Sequence, residues 1–138
     1  MIIGLDHIAV AVPDFQAAIE RFSEDFGLTL KGTEDVADAK TSTAFLPVAK
    51  TQIELVHPLN GEGPIQKYLD NKGGGLHHLC FRSDDLEADM KRLTAKGYQF
   101  ISDKPKPGAH GTSVAWIHPK STNGILIEIA QYGEDHHD

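Results

Sequence analysis

The sequence predicts an α+β fold made of two tandem β-α-β-β-β modules, their strands curving into one cup-like mixed sheet with the helices outside. Three observations predict it. Short runs of alternating apolar and polar residues are interleaved with amphipathic segments at helical spacing. The order of these elements restarts near residue 76. The restart also carries polar residues with it. Displaced by 71 positions, His7 falls on His78, Asp14 on Asp85, Phe15 on Leu86, Ala17 on Ala88 and Phe22 on Leu93. A displacement of 74 lays Ile53-Glu54-Leu55 on Ile127-Glu128-Ile129, a drift that loop insertions explain.

Taken in order, residues 2–12 alternate as a strand that ends at Pro13. Asp14 is placed to cap a helix over 14–26, where Phe15, Ala18, Ile19, Phe22 and Phe26 fall at helical spacing and Gly27 is the stop. Strands follow over 28–34, 41–48 and 51–57. Pro64, suited to a first helical turn, opens a second helix over 64–72 that the glycines at 73–75 end. Residues 76–82 make a strand. Asp84 with Glu87 reads as a capping box for a helix over 84–96, with Leu86, Met90 and Leu93 facing the core and Gly97 closing it. Strands over 98–102, 112–118 and 124–131 complete the pattern, and the proline- and glycine-bearing stretch 102–111 is a loop. These elements divide one domain, 1–132, into a first module over about 1–58, a linker helix region over about 59–75 and a second module over about 76–132; the polar tail 133–138 is expected to fray.

Composition narrows the function classes. Hydrophobic residues make up 40% and charged residues 24%, as in folded soluble proteins. The net charge of −7 argues against nucleic-acid and anionic-membrane partners, whose surfaces call for basic patches. Cys80 is the single cysteine, so neither an intrachain disulfide nor a cysteine-based zinc site is available. Apolar stretches fall far below membrane-spanning length, and the first residues lack a signal peptide's basic region and cleavage site, which points to a reducing, cytoplasmic setting.

Strand alternation groups the polar residues. His7 shares a face with Ala9 and Ala11, opposite Ile8, Val10 and Val12; the small residues leave that face room for a ligand. His78 shares a face with Cys80 and Arg82, opposite Leu79 and Phe81. Glu54 and Glu128 each point away from isoleucine or leucine neighbours. The core between sheet and helices is then Ile8, Val10, Val12, Leu79, Phe81, Ile127 and Ile129. One histidine in a strand is usually a hydrogen-bonded, half-buried residue, and one glutamate usually faces solvent. Two carboxylates at strand centres, however, are costly to bury unless a cation pairs them. If a pseudo-two-fold relates the modules, His7, Glu54, His78 and Glu128 converge on one divalent metal ion.

These residues carry a family resemblance. Asp6-His-Ile-Ala-Val-Ala-Val-Pro-Asp14, Thr51-Gln-Ile-Glu-Leu-Val-His-Pro-Leu59, Gly75-Leu-His-His-Leu79, Gly108-Ala-His-Gly111, His118-Pro-Lys-Ser121 and Gly124-Ile-Leu-Ile-Glu128 resemble the vicinal-oxygen-chelate superfamily, and within it the epimerases that act on methylmalonyl-CoA. The resemblance spans the chain except its tail. It implies metal ligands at His7, Glu54, His78 and Glu128, although some such epimerases have glutamine at the Glu54 position. His77 falls on the opposite face and stays outside the set. Some members also carry a second catalytic glutamate where this chain has Thr43, which cannot act as a base.

The implied chemistry is removal of the α-proton of an acyl-CoA substrate on one face and its return on the other. One divalent ion per chain, cobalt, zinc, nickel, manganese or iron, holds the charge that develops on the substrate. Glu128 is the first candidate base and Glu54 the second. Lys104, Lys106 and Lys120 are candidates for coenzyme A phosphates, and His110 and Ser121 for the substrate mouth; solvated lysines and loop-ordering hydrogen bonds are the plainer readings. The resemblance also implies a homodimer. A glyoxalase I-type lyase needs the same ion and is the alternative enzyme. An extradiol dioxygenase fits less well, since it takes two histidines and one carboxylate. A non-enzymatic drug-binding module has no use for four ligand positions.

Overall fold

Residues 1–133 are described in the computed structural model, and alternation and capping place most of the elements found there. They are β1 (Ile2–Ala11), α1 (Phe15–Glu20), β2 (Gly32–Val36), β3 (Thr41–Val48), β4 (Thr51–Pro58), α2 (Pro64–Lys72), β5 (Gly75–Ser83), α3 (Leu86–Ala95), β6 (Lys106–Pro107), β7 (Ser113–Ile117) and β8 (Ile127–Gln131). The predicted fraying of the tail falls, beyond Gly133, outside the described residues. None of the described helices is long and apolar enough to cross a membrane. The chain divides into two units, His7–His77 and Met1–Asp6 together with the chain from His78 on.

In the unit His7–His77 the strand order is β2-β3-β4-β1. β1 and β4 run parallel with Ala9 opposite Glu54, and β3 and β4 form an antiparallel hairpin with Phe45 opposite Glu54. Asp14 caps α1 by accepting from the Ala17 amide at 3.0 Å. Val12, Ala18, Ile19, Ala44, Leu46 and Leu55 form the core beneath it. The predicted helix 14–26 loses its regular pitch at Arg21–Asp25, a π turn in which the Ser23 hydroxyl donates to the Ile19 carbonyl. Phe26 is thereby turned outward. Its ring lies tilted against that of Phe22, 5.5 Å between centroids, and it stays 66% exposed. The strand predicted over 28–34 starts only at Gly32, because Leu28 is drawn back against the helix core.

The small residues on the His7 face serve another purpose than the predicted one. Ala9 and Ala11 are 0% and 1% exposed beneath α2, whose Ile65, Tyr68 and Leu69 pack on them and on Val56. They admit a helix rather than a ligand. Ile8, expected in the core, is half-buried.

In the other unit the order is β5-β8-β7-β6. β5 and β8 are parallel with Cys80 opposite Glu128, and β7 and β8 antiparallel with Trp116 opposite Glu128. The register of the first unit therefore recurs residue for residue. Leu86, Met90, Ala115, Ile117 and Ile129 form the core under α3, with Ile127 at its margin; Leu79 and Phe81, expected there, are half-buried. The capping box is displaced by one residue. Asp85, in extended conformation, accepts from the Ala88 amide at 3.1 Å, while Asp84 binds the Met1 amino group at 2.7 Å. The predicted strand 98–102 shrinks to a single bridge, Phe100 to Ile117. The chain leaves the β7 edge at Ser102, whose hydroxyl donates to the Lys104 carbonyl, and returns at Lys106–Pro107, a proline-bearing edge strand. The last strand starts at Ile127, not 124, since Asn123 and Gly124 turn the chain with φ of +58° and +84°.

One buried carboxylate anchors this unit. Asp89, 1% exposed, accepts from the Ser83 hydroxyl at 2.5 Å and from Arg92 at 3.0 Å, with the Met1 amine at 3.2 Å. Burial works to raise its pKa, but these hydrogen bonds outweigh it and hold the carboxyl below its ordinary range. A carboxyl depressed in the folded state contributes stability above its unfolded pKa and loses it as pH falls through the folded value. Asp89→Asn is expected to cost about 3 kcal/mol at pH 7. Urea unfolding of both proteins at pH 7 and pH 3 checks this, the gap narrowing in acid.

Candidate functional site

Each unit presents one histidine and one glutamate side by side. In the unit His7–His77, the parallel register sets Ala9 of β1 opposite Glu54 of β4, and His7, two positions before Ala9 on the same face, reaches that glutamate diagonally. Both are 6% exposed, and His7 Nδ1 lies 3.0 Å from Glu54 Oε2. Gln52, two positions before Glu54 and so on the same face, donates its side-chain amide to that oxygen at 3.2 Å. Phe45, opposite Glu54, is 2% exposed, and Thr43, two positions along β3, is also buried.

The second pair repeats the construction. His78 of β5 and Glu128 of β8 are 8% and 7% exposed, with His78 Nε2 at 3.2 Å from Glu128 Oε1. Trp116, opposite Glu128, meets the His78 ring edge-on, with 4.6 Å between centroids. This fixes the imidazole plane.

The donor chemistry suits a divalent ion. Two ligand atoms about 2.1 Å from an octahedral ion and at right angles to each other stand about 3.0 Å apart. The two histidine–carboxylate separations, 3.0 and 3.2 Å, match that edge. A hydrogen bond has the same length, so the argument for an ion rests on burial of a carboxylate with a nitrogen ligand in both modules.

The remaining predicted residues divide. His77 lies away from His78 as parity requires, its ring against Tyr68 at 5.0 Å. Ser121 accepts from the Gln99 amide at 3.0 Å, which orders a loop. His110 stands exposed with φ of +57°, a conformation that costs a non-glycine residue about 1–2 kcal/mol. Lys104, Lys106 and Lys120 are exposed. Lys104 borders an open cleft of about 1080 Å³ between α3 and residues 100–105, whose lining includes neither His78 nor Glu128. The sequence reading missed Gln52 and Trp116. Alternation about Glu54 was the signal for the first; the second needs the β7–β8 register.

The sequence pattern of the Glyoxalase/Bleomycin resistance protein/Dioxygenase superfamily matches residues 6–116. The chain is 39% identical to an ethylmalonyl-CoA/methylmalonyl-CoA epimerase of Cereibacter sphaeroides over 95% of its own length and 99% of the relative's. It is 36% identical to the mitochondrial methylmalonyl-CoA epimerase of Dictyostelium discoideum, covering 92% of this chain and 77% of that protein. The crystal structure of methylmalonyl-CoA epimerase from Mycobacterium tuberculosis superposes with a TM-score of 0.92 at 34% identity, over 96% of this chain and 89% of the other.

Proposed function

The chain belongs to the glyoxalase/bleomycin resistance protein/dioxygenase superfamily, and we propose that it works there as a metal-dependent epimerase interconverting the (R) and (S) forms of methylmalonyl-CoA. The observation that carries this reading is the nearly end-to-end identity of 39% to an epimerase of that substrate. The two buried histidine–glutamate pairs supply the chemistry the reaction needs. His7, Glu54, His78 and Glu128 would hold one divalent ion per chain, offering it two nitrogen and two oxygen donors.

A divalent ion bound there would supply Lewis-acid stabilisation of the negative charge that develops when the α-proton leaves. Glu128, starting as a free carboxylate, would take the α-proton as its C–H bond breaks, while Glu54, starting protonated, would give its proton to the opposite face; the two groups exchange protonation states, and turnover in the reverse direction restores them. Nothing is oxidised, and no co-reactant is consumed. Burial of both carboxylates keeps bulk water from competing for the proton. The resemblance adds a homodimer, which a sizing measurement decides.

The test offers methylmalonyl-CoA and the hemithioacetal of methylglyoxal and glutathione to the same preparation, with cobalt or zinc added. Turnover of the CoA ester alone is expected. Turnover of the hemithioacetal alone turns the reading to a lyase; turnover of neither, with no metal taken up, turns it to a binding module.

A further inference from the structure

Resting on the reading of His7 and Glu54 as ligands, we infer that Gln52 is the positioning residue of that pair, holding by its amide the carboxylate oxygen that meets the ion. Gln52 Nε2 donates to Glu54 Oε2 at 3.2 Å, and the same oxygen lies 3.0 Å from His7 Nδ1. A carboxylate oxygen accepts along two in-plane directions. With the amide on one of them, the other is left for an atom beside the imidazole. The glutamate side chain has three torsions to freeze, and a ligand already fixed before the ion arrives spares that loss at binding.

Two features separate this role from packing. Gln52 is only half-buried, while Glu54 is 6% exposed, so the amide is spent on the carboxylate more than on filling the core. The place of Gln52 in the repeat, under the displacement of 74, belongs to Leu126, which has no side-chain donor. The fold of the module does not itself call for an amide there. The contact is a device of the first pair.

The experiment is a double-mutant cycle on cobalt affinity, measured by calorimetry with the full chain and the metal alone. Gln52→Met keeps the shape and removes the donor. It is expected to weaken cobalt binding about tenfold or more, the usual cost of losing an outer partner of a ligand. In a Glu54→Ala background the same change is expected to cost less than about twofold, because the group it acts through is gone. The cobalt absorption spectrum should shift with Gln52→Met in the first background and not in the second. Equal affinity of wild type and Gln52→Met overturns the inference and leaves the ligand set standing. Equal losses in both backgrounds also overturn it, since Gln52 then acts by packing. A wild-type chain that takes up no cobalt overturns the ligand reading and this inference with it.

Discussion

His7→Ala and His78→Ala should each lower divalent-ion affinity by well over the roughly 100-fold that loss of an outer partner costs, and abolish epimerisation with it. The two variants sit in different units, and that makes them informative. His7 stands 3.0 Å from Glu54, and His78 stands 3.2 Å from Glu128. If each pair bound an ion of its own, wild type would take up two ions per chain, and either variant would keep one at full affinity. One ion shared by both pairs gives one equivalent per chain and comparable losses in the two variants. Removing an imidazole also empties volume: His78 is 8% exposed with Trp116 against it, so far-ultraviolet circular dichroism and a melting curve accompany each titration. A folded variant without metal is the expected result. A folded His78→Ala that binds cobalt like wild type removes His78 from the ligand set.

The strands and faces of the two histidine–glutamate pairs were legible in the sequence, and the reason is local. His7, Glu54, His78 and Glu128 occupy strands whose apolar flanks announce their parity, and the two displacements carry Ala9 opposite Glu54 onto Cys80 opposite Glu128, the observed registers. What periodicity missed depends on contacts between elements distant in sequence. Ala9 and Ala11 looked like the floor of a pocket, yet α2 packs on them, and nothing in residues 64–72 states where that helix docks. Phe26 kept helical spacing, but the turn at 21–25 had already opened. The cap of α3 shows two signals in competition. The capping-box pattern favoured Asp84, whereas the repeat put Asp14 on Asp85, and Asp85 is the residue that caps. Repeat alignment integrates a whole module, while a box weighs two side chains.

Glu54→Gln is expected to lower epimerisation by about 10²- to 10⁴-fold while sparing most metal binding, because the amide oxygen can still ligate but cannot carry the proton. The argument starts from Thr43, a buried hydroxyl at the position where the family resemblance would imply a second catalytic glutamate. Without that glutamate, one of the two proton transfers lacks a base, and the repeat offers Glu54 as the counterpart of Glu128. A carboxylate that both ligates and moves a proton must loosen from the ion during turnover. In deuterated water the variant should therefore still exchange the α-proton of one methylmalonyl-CoA enantiomer through Glu128 while epimerisation collapses. Metal content is measured on the same samples, so that lost occupancy is not read as lost chemistry. Thr43 shares a face with Phe45, the partner of Glu54 across β3 and β4, so a carboxylate there sits on the same side of the sheet. Adding Thr43→Glu to the Glu54→Gln chain should restore part of the epimerisation. An unchanged rate in metal-loaded Glu54→Gln leaves Glu54 a ligand only and sends the second proton through water or another side chain.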